Sequence, residues 1–229
     1  MVSLKEFYLY IKHPDPIEKI GIYSFKSFLI LVWESFFILF LFDIIFGLVL
    51  SIPLRYLNLF PVQKEINYSL YIILKFSILL PIIEELIFRL PLKISKINLA
   101  TSFSLIVFIV LNKWCFSDVY MALGSSMVLF LSLNIGISKE SWVCNKMTHF
   151  LTDNFLAFFY FQALIFGFLH LTNYIIDIRY FYLFPFIVIS YISKGCLFGY
   201  LRVRFKNGIY LCIASHIVAN SIYCLILSR

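Results

Sequence analysis

The sequence predicts an all-α fold: a polytopic transmembrane helical bundle of about seven spans with an N-terminal interfacial helix. Three observations predict it. Of 229 residues, 62% are hydrophobic and only 14% charged, where a soluble domain is about half apolar and about a quarter charged. The mean hydropathy is +0.94. Apolar runs recur near 27–51, 68–90, 99–116, 118–137, 153–172, 180–201 and 208–227, each long enough to cross a bilayer, the third being near the lower limit. An arm at 1–26 precedes one membrane domain at 27–229.

The arm carries Lys5, Lys12, Lys19 and Lys26 at intervals of seven residues, with Phe7, Tyr8, Tyr10 and Ile11 between them. That pattern fits a helix lying on the membrane and also fits a solvated juxtamembrane segment. Pro14 interrupts it, and Asp15-Pro16 reads as a helix restart with Asp as N-cap. No compact apolar stretch with a small-residue cleavage site opens the chain, so the first span is expected to insert as its own anchor.

The net charge of +7 points to membrane orientation, not to nucleic acid. With the N-terminus inside, cytoplasmic segments hold Lys5, Lys12, Lys19, Lys26, Arg89, Lys93, Lys96, Lys139, Lys146, Arg202, Arg204 and Lys206. The other side holds Arg55, Lys64, Lys113, Arg179 and Arg229, so the twelve-to-five balance predicts N-in, C-out. The expected location is a cell (inner or cytoplasmic) membrane, with lipid bilayer all round. The cysteines Cys115, Cys144, Cys196, Cys212 and Cys224 form no CxxC pair and read as small core residues. Glu34, Asp43, Lys75 and Lys194 fall inside spans and are expected to pair with one another.

Three polar clusters remain. In the second span, Glu85 and Arg89 are four apart and share a helix face, a natural ion pair. Glu84 is turned about 100° away and lacks a local partner, which suits a general base in a low-dielectric site. Pro81, one turn earlier, should disturb the helix beside it. The fifth span carries Phe166 and His170 on one face. The seventh carries His216 and Asn220, an imidazole and a carboxamide whose donors could hold a developing oxyanion. Taken singly, each cluster also reads as snorkelling charge or polar packing between helices. Depth is consistent for Glu84, about 9 Å from its inner end, and His216, about 12 Å. His170, about 25 Å from the start of its span, requires a fifth helix that begins outside the hydrocarbon or tilts.

Glu84-Glu85-x-x-x-Arg89, Phe166-x-x-x-His170 and His216-x-x-x-Asn220, in that order, resemble the motifs of the CPBP family, the CAAX protease and bacteriocin-processing group of intramembrane endopeptidases. Gly195-x-x-x-Gly199 resembles the family as well, and the likeness covers 68–223. One departure is the separation of 86 positions from Glu84 to His170. Two additional spans at 96–148 fill that interval and, being even in number, preserve the orientation of the fifth helix. The resemblance implies that Glu84, assisted by His170, activates a water, that His216 and Asn220 stabilise the oxyanion, and that Glu85, Arg89 and Phe166 support the site. It implies a membrane-associated peptide or protein substrate, a site opening to the cytoplasmic side and no cofactor.

A zinc-dependent version would use Glu84, His170 and His216 as ligands. The chain has no HExxH helix and no Gly-x-Ser-x-Gly elbow. A catalytically silent peptide-binding, lipid-binding or immunity protein is the non-enzymatic alternative.

Overall fold

Long runs of Leu, Ile and Phe unbroken by turn residues form helices, and the computed structural model has ten α-helices among the described residues. It describes residues 4–18, 20–21, 24–56, 62–63, 69–112, 119–135, 142–175 and 184–227. The α-helices are α1 (Leu4–Lys12), α2 (Phe25–Tyr56), α3 (Leu70–Leu74), α4 (Leu80–Phe88), α5 (Lys96–Val110), α6 (Val119–Ile135), α7 (Trp142–Asp153), α8 (Phe155–Leu169), α9 (Phe184–Arg204) and α10 (Gly208–Leu227). A π-helical turn, Lys75–Leu79, joins α3 to α4. Val62–Gln63 and Tyr174–Ile175 pair as a two-residue antiparallel ladder.

Among the described residues, three helices are long and apolar enough to cross a membrane: Phe25–Val49, Phe155–Thr172 and Gly208–Ile226. The expected third and fourth spans appear as the shorter apolar helices Lys96–Val110 and Val119–Leu133. Helix α9 is less apolar because it is interior, with Leu197, Leu201 and Val203 fully buried.

One expectation about the arm is corrected, and its packing is added to. Helix α1 exposes Leu4, Tyr8 and Leu9 on one side and buries Phe7 and Tyr10 in the main core on the other. The Tyr10 ring meets Phe159 and Tyr200 edge-on at 5.5 and 5.3 Å. No helix restarts at Asp15-Pro16. The Asp15 carboxylate instead accepts the Ile17 N–H at 3.0 Å and pairs with Arg204 at 3.0 Å, so tertiary contacts outbid local capping. Cys196, Cys212 and Cys224 are free and buried, as expected. Cys115 lies outside the described residues, as does the Cys144 side chain.

The π turn has a local cause. Leu80 N–H reaches back five residues to the Lys75 carbonyl. Phe76 therefore loses its ordinary α-helical donor, and its five-residue partner is Pro81, which has no N–H. The Asn220 carboxamide donates to the Phe76 carbonyl instead, at 3.1 Å. A backbone acceptor at membrane depth must find a donor, and here the seventh predicted span provides it.

Small residues set the spacing between α8 and α9. A Cβ at Gly195 would lie 3.1 Å from the Ala163 backbone, and one at Gly199 would lie 2.5 Å from the Phe159 ring. Close approach through Gly-x-x-x-Gly is a membrane-helix packing device. At the lower end of α4, Arg202 donates to the carbonyls of Arg89 (3.1 Å) and Leu90 (3.3 Å), satisfying acceptors the helix leaves open. Ser102 of α5 donates to the Ile87 carbonyl at 2.7 Å, which ties α5 to α4. Of the charges predicted within spans, Asp43 and Lys194 are paired at 2.5 Å.

Candidate active site

Helices α4 and α8 run antiparallel in a fixed register. Phe166 packs edge-on against Phe88, centroids 5.7 Å apart, and under the Arg89 guanidinium at 4.3 Å. Four residues further along α8, and four back along α4, His170 faces Glu84: Nε2 and Oε2 are 4.0 Å apart. The first part of α8 extends past the end of α4, and there Phe155 and Phe159 join the core that also holds Tyr10. The fifth helix begins beyond the site, against the arm.

The seventh predicted span completes the cluster. His216 Nε2 lies 3.8 Å from Glu84 Oε2, and its Nδ1 lies 2.8 Å from Glu85 Oε1. One carboxylate oxygen of Glu84 thus faces two imidazole nitrogens from two other helices. The second oxygen of Glu85 is 3.6 Å from Arg89 Nε, realising the expected ion pair. Glu85 and Arg89 are both fully buried. The guanidinium is flanked by the rings of Phe166, Phe88 and Phe198 at 4.3, 5.8 and 5.8 Å, a placement that cation–π attraction favours.

Each imidazole is held on both its polar edge and its faces. His170 Nδ1 is 2.7 Å from the Phe166 carbonyl. A carbonyl only accepts, so Nδ1 carries the hydrogen and Nε2 turns its lone pair toward Glu84. The His170 ring stacks on Tyr191 at 4.4 Å and 24°. The His216 ring stacks on Phe198 at 5.1 Å and 23°. Sequence reading missed Tyr191 and Phe198. Their only signal is location on the helix that carries Gly195 and Gly199, since the contacts arise from how closely α8, α9 and α10 approach.

Glu84, Glu85, Arg89, Phe166, His170 and His216 are brought together. Asn220 lies one turn beyond His216, with one amide N–H engaged by Phe76. An amide nitrogen has a second hydrogen to give. Among the described residues, no group of three or more His, Cys, Asp or Glu side chains has the arrangement of a metal site.

The family model of the type II CAAX prenyl endopeptidase Rce1-like proteins matches residues 66–222, more than half of the chain. The chain belongs to this family. Every candidate residue from Glu84 to Asn220 lies within the matched stretch, whereas α1 and α2 lie before it. Comparison with curated proteins gave no match, and neither did comparison with solved structures. Membership together with the spanning helices makes this a multi-pass membrane protein of the CAAX-protease class.

Proposed function

We propose that this Rce1-like chain is an intramembrane glutamate-type endopeptidase that hydrolyses a peptide bond of a membrane-associated peptide or protein. The observation that carries the reading is the position of Glu84 Oε2, 4.0 Å from Nε2 of His170 and 3.8 Å from Nε2 of His216. Those separations exceed a direct hydrogen bond. Two hydrogen bonds of about 2.8 Å meeting at roughly 90° on one water oxygen would span the 4.0 Å gap between Glu84 and His170.

Such a water gives its two hydrogens to Glu84 and to the His170 lone pair, leaving its own lone pair for the substrate carbonyl. As the new C–O bond forms, Glu84 takes the water's proton and the carbonyl π pair moves onto oxygen. When protonated, His216 donates from Nδ1 to Glu85 and from Nε2 into the site. That donor and the second Asn220 N–H would hold the oxyanion. Collapse of the tetrahedral carbon breaks the C–N bond, and the proton held by Glu84 passes to the leaving amine. Glu85 and Arg89 keep His216 in place from behind.

The family name suggests a lipidated peptide held at the membrane. The inner site is proposed to open to the cytoplasm, with the N-terminus on that side. In support, Lys93 bonds Glu18 and the carbonyls of Phe205 and Lys206, and Arg204 pairs with Asp15, which gathers the basic residues that follow α4 and end α9 at one end of the bundle, against acidic residues of the arm. The protease core is proposed to span 68–223, with the pair of helices within 96–148 added to it.

The test is Glu84→Gln in nanodiscs with a fluorogenic farnesylated CaaX peptide. We expect cleavage to vanish while the variant still inserts and folds, and full activity would overturn the assignment. Activity should survive o-phenanthroline. Loss restored by zinc would replace the glutamate mechanism by a metal one on Glu84, His170 and His216.

A further inference from the structure

His170 sits just past the last residue of α8, in a short 3-10 turn at His170–Asn173, where the helix grips a side chain least. Its own segment fixes the imidazole by one hydrogen bond to the Phe166 carbonyl and by the tilted Phe166 ring at 4.5 Å. The opposite wall comes from α9. Tyr191 stacks on the imidazole at 4.4 Å. One turn along α9, Lys194 Nζ lies 5.1 Å from the centroid of the same Tyr191 ring. Lys194 in turn pairs with Asp43 of α2 at 2.5 Å, and Ser190 donates to that carboxylate at 3.4 Å.

An ammonium within apolar helices requires a counter-charge. Asp43 supplies it from a helix outside the stretch 66–222 that matches the family. The order is carboxylate, ammonium, phenol ring, imidazole. A cation near one part of the ring is attracted by its π face, and a stacked ring resists rotation of the imidazole. Without that wall the imidazole could turn over and exchange the roles of its two nitrogens.

We propose that Tyr191, anchored by the Lys194–Asp43 ion pair, is a positioning residue that fixes the ring plane and tautomer of His170. The inference rests on the role given to His170 above and adds α2 to the machinery that orients it. It predicts that a charge pair remote from the substrate governs turnover, not substrate binding.

The experiment uses the full chain in nanodiscs, with two readouts: kcat and KM on the fluorogenic farnesylated CaaX peptide, and the ring nitrogen NMR signals of His170. Tyr191→Leu, Lys194→Met and Asp43→Asn should each lower kcat by roughly 10- to 100-fold with KM little changed. Tyr191→Phe and Lys194→Arg should retain activity. The His170 spectrum should show one Nδ1–H tautomer in the parent chain and a mixture in Tyr191→Leu. In a His170→Ala background, Tyr191→Leu should cost nothing further. A parent-like kcat and an unchanged tautomer in Tyr191→Leu would overturn the inference, as would a loss confined to thermal stability. If His170→Ala itself stays fully active, the catalytic reading of His170 fails, and the tautomer spectrum alone decides whether Tyr191 orients the ring.

Discussion

Glu85 serves two partners of different kinds. One oxygen meets His216 at 2.8 Å and the other meets Arg89 at 3.6 Å, all three side chains being buried. Removing a buried ion's partner leaves an uncompensated charge and costs about 3–5 kcal/mol. Glu85→Ala should therefore lower thermal stability in detergent sharply, besides loosening His216. Unchanged stability and activity would remove the ion pair from the account. Asn220→Ala tests the other donor of the site. It should cut kcat by about 10²–10³-fold if the carboxamide holds an oxyanion, measured on the same peptide with KM recorded alongside. A fall in stability without a fall in kcat would assign Asn220 to the Phe76 carbonyl alone.

At the level of the element, the second predicted span is three pieces: α3, a π turn and α4. The π turn changes the rotation of everything after it, so it decides which way Glu84 and Glu85 face. Such turns inside helices are common at functional sites. Pro81→Ala restores a backbone donor that in a regular α-helix serves the Ser77 carbonyl, which lets the Leu80 N–H shift from Lys75 to Phe76 and displace Asn220. The variant should keep or gain stability and lose activity, since a regular helix would swing Glu84 away from both imidazoles. Parent-like turnover in Pro81→Ala would show that the π turn is incidental. Gly199→Val probes the α8–α9 contact. Overpacking typically costs about 1–3 kcal/mol, and here it would also separate His170 from Tyr191, so unfolding midpoint and kcat should fall together.

At the scale of the whole molecule, the arm is a strut and not a tether. Tyr10 and Phe7 are buried, Asp15 pairs with Arg204, and Tyr160 donates to the Ile11 carbonyl. The arm covers the part of α8 that extends past α4, so it supports the register that delivers His170. Tyr10→Ala should destabilise the fold by about 3–5 kcal/mol, read as a lower unfolding midpoint in detergent, whereas Tyr8→Ala on the exposed face should change little. Orientation is checked with a single cysteine at Lys5 in a cysteine-free chain. It should react with a membrane-impermeant maleimide from the cytoplasmic side only, and labelling from outside would reverse the proposed topology.

Composition and apolar run length by themselves determined that the chain is a helical membrane protein, because burial in lipid leaves almost no other backbone solution. Spacing by four determined that Glu85 faces Arg89 and that His216 and Asn220 share a side, because helix geometry is local. The order of the three polar clusters carried the family. Tertiary structure alone decided that Glu84 meets both imidazoles, that Glu85 reaches His216, and that Tyr191, Lys194 and Asp43 line up behind His170. Those contacts join residues distant in sequence, and no local periodicity encodes them. The Asp15 cap failed for the same reason: its carboxylate gains more from Arg204, which is 189 positions away, than from starting a helix. Local rules set which way a side chain points along its own helix, whereas the distances between helices depend on glycines, a proline and a docked arm acting together.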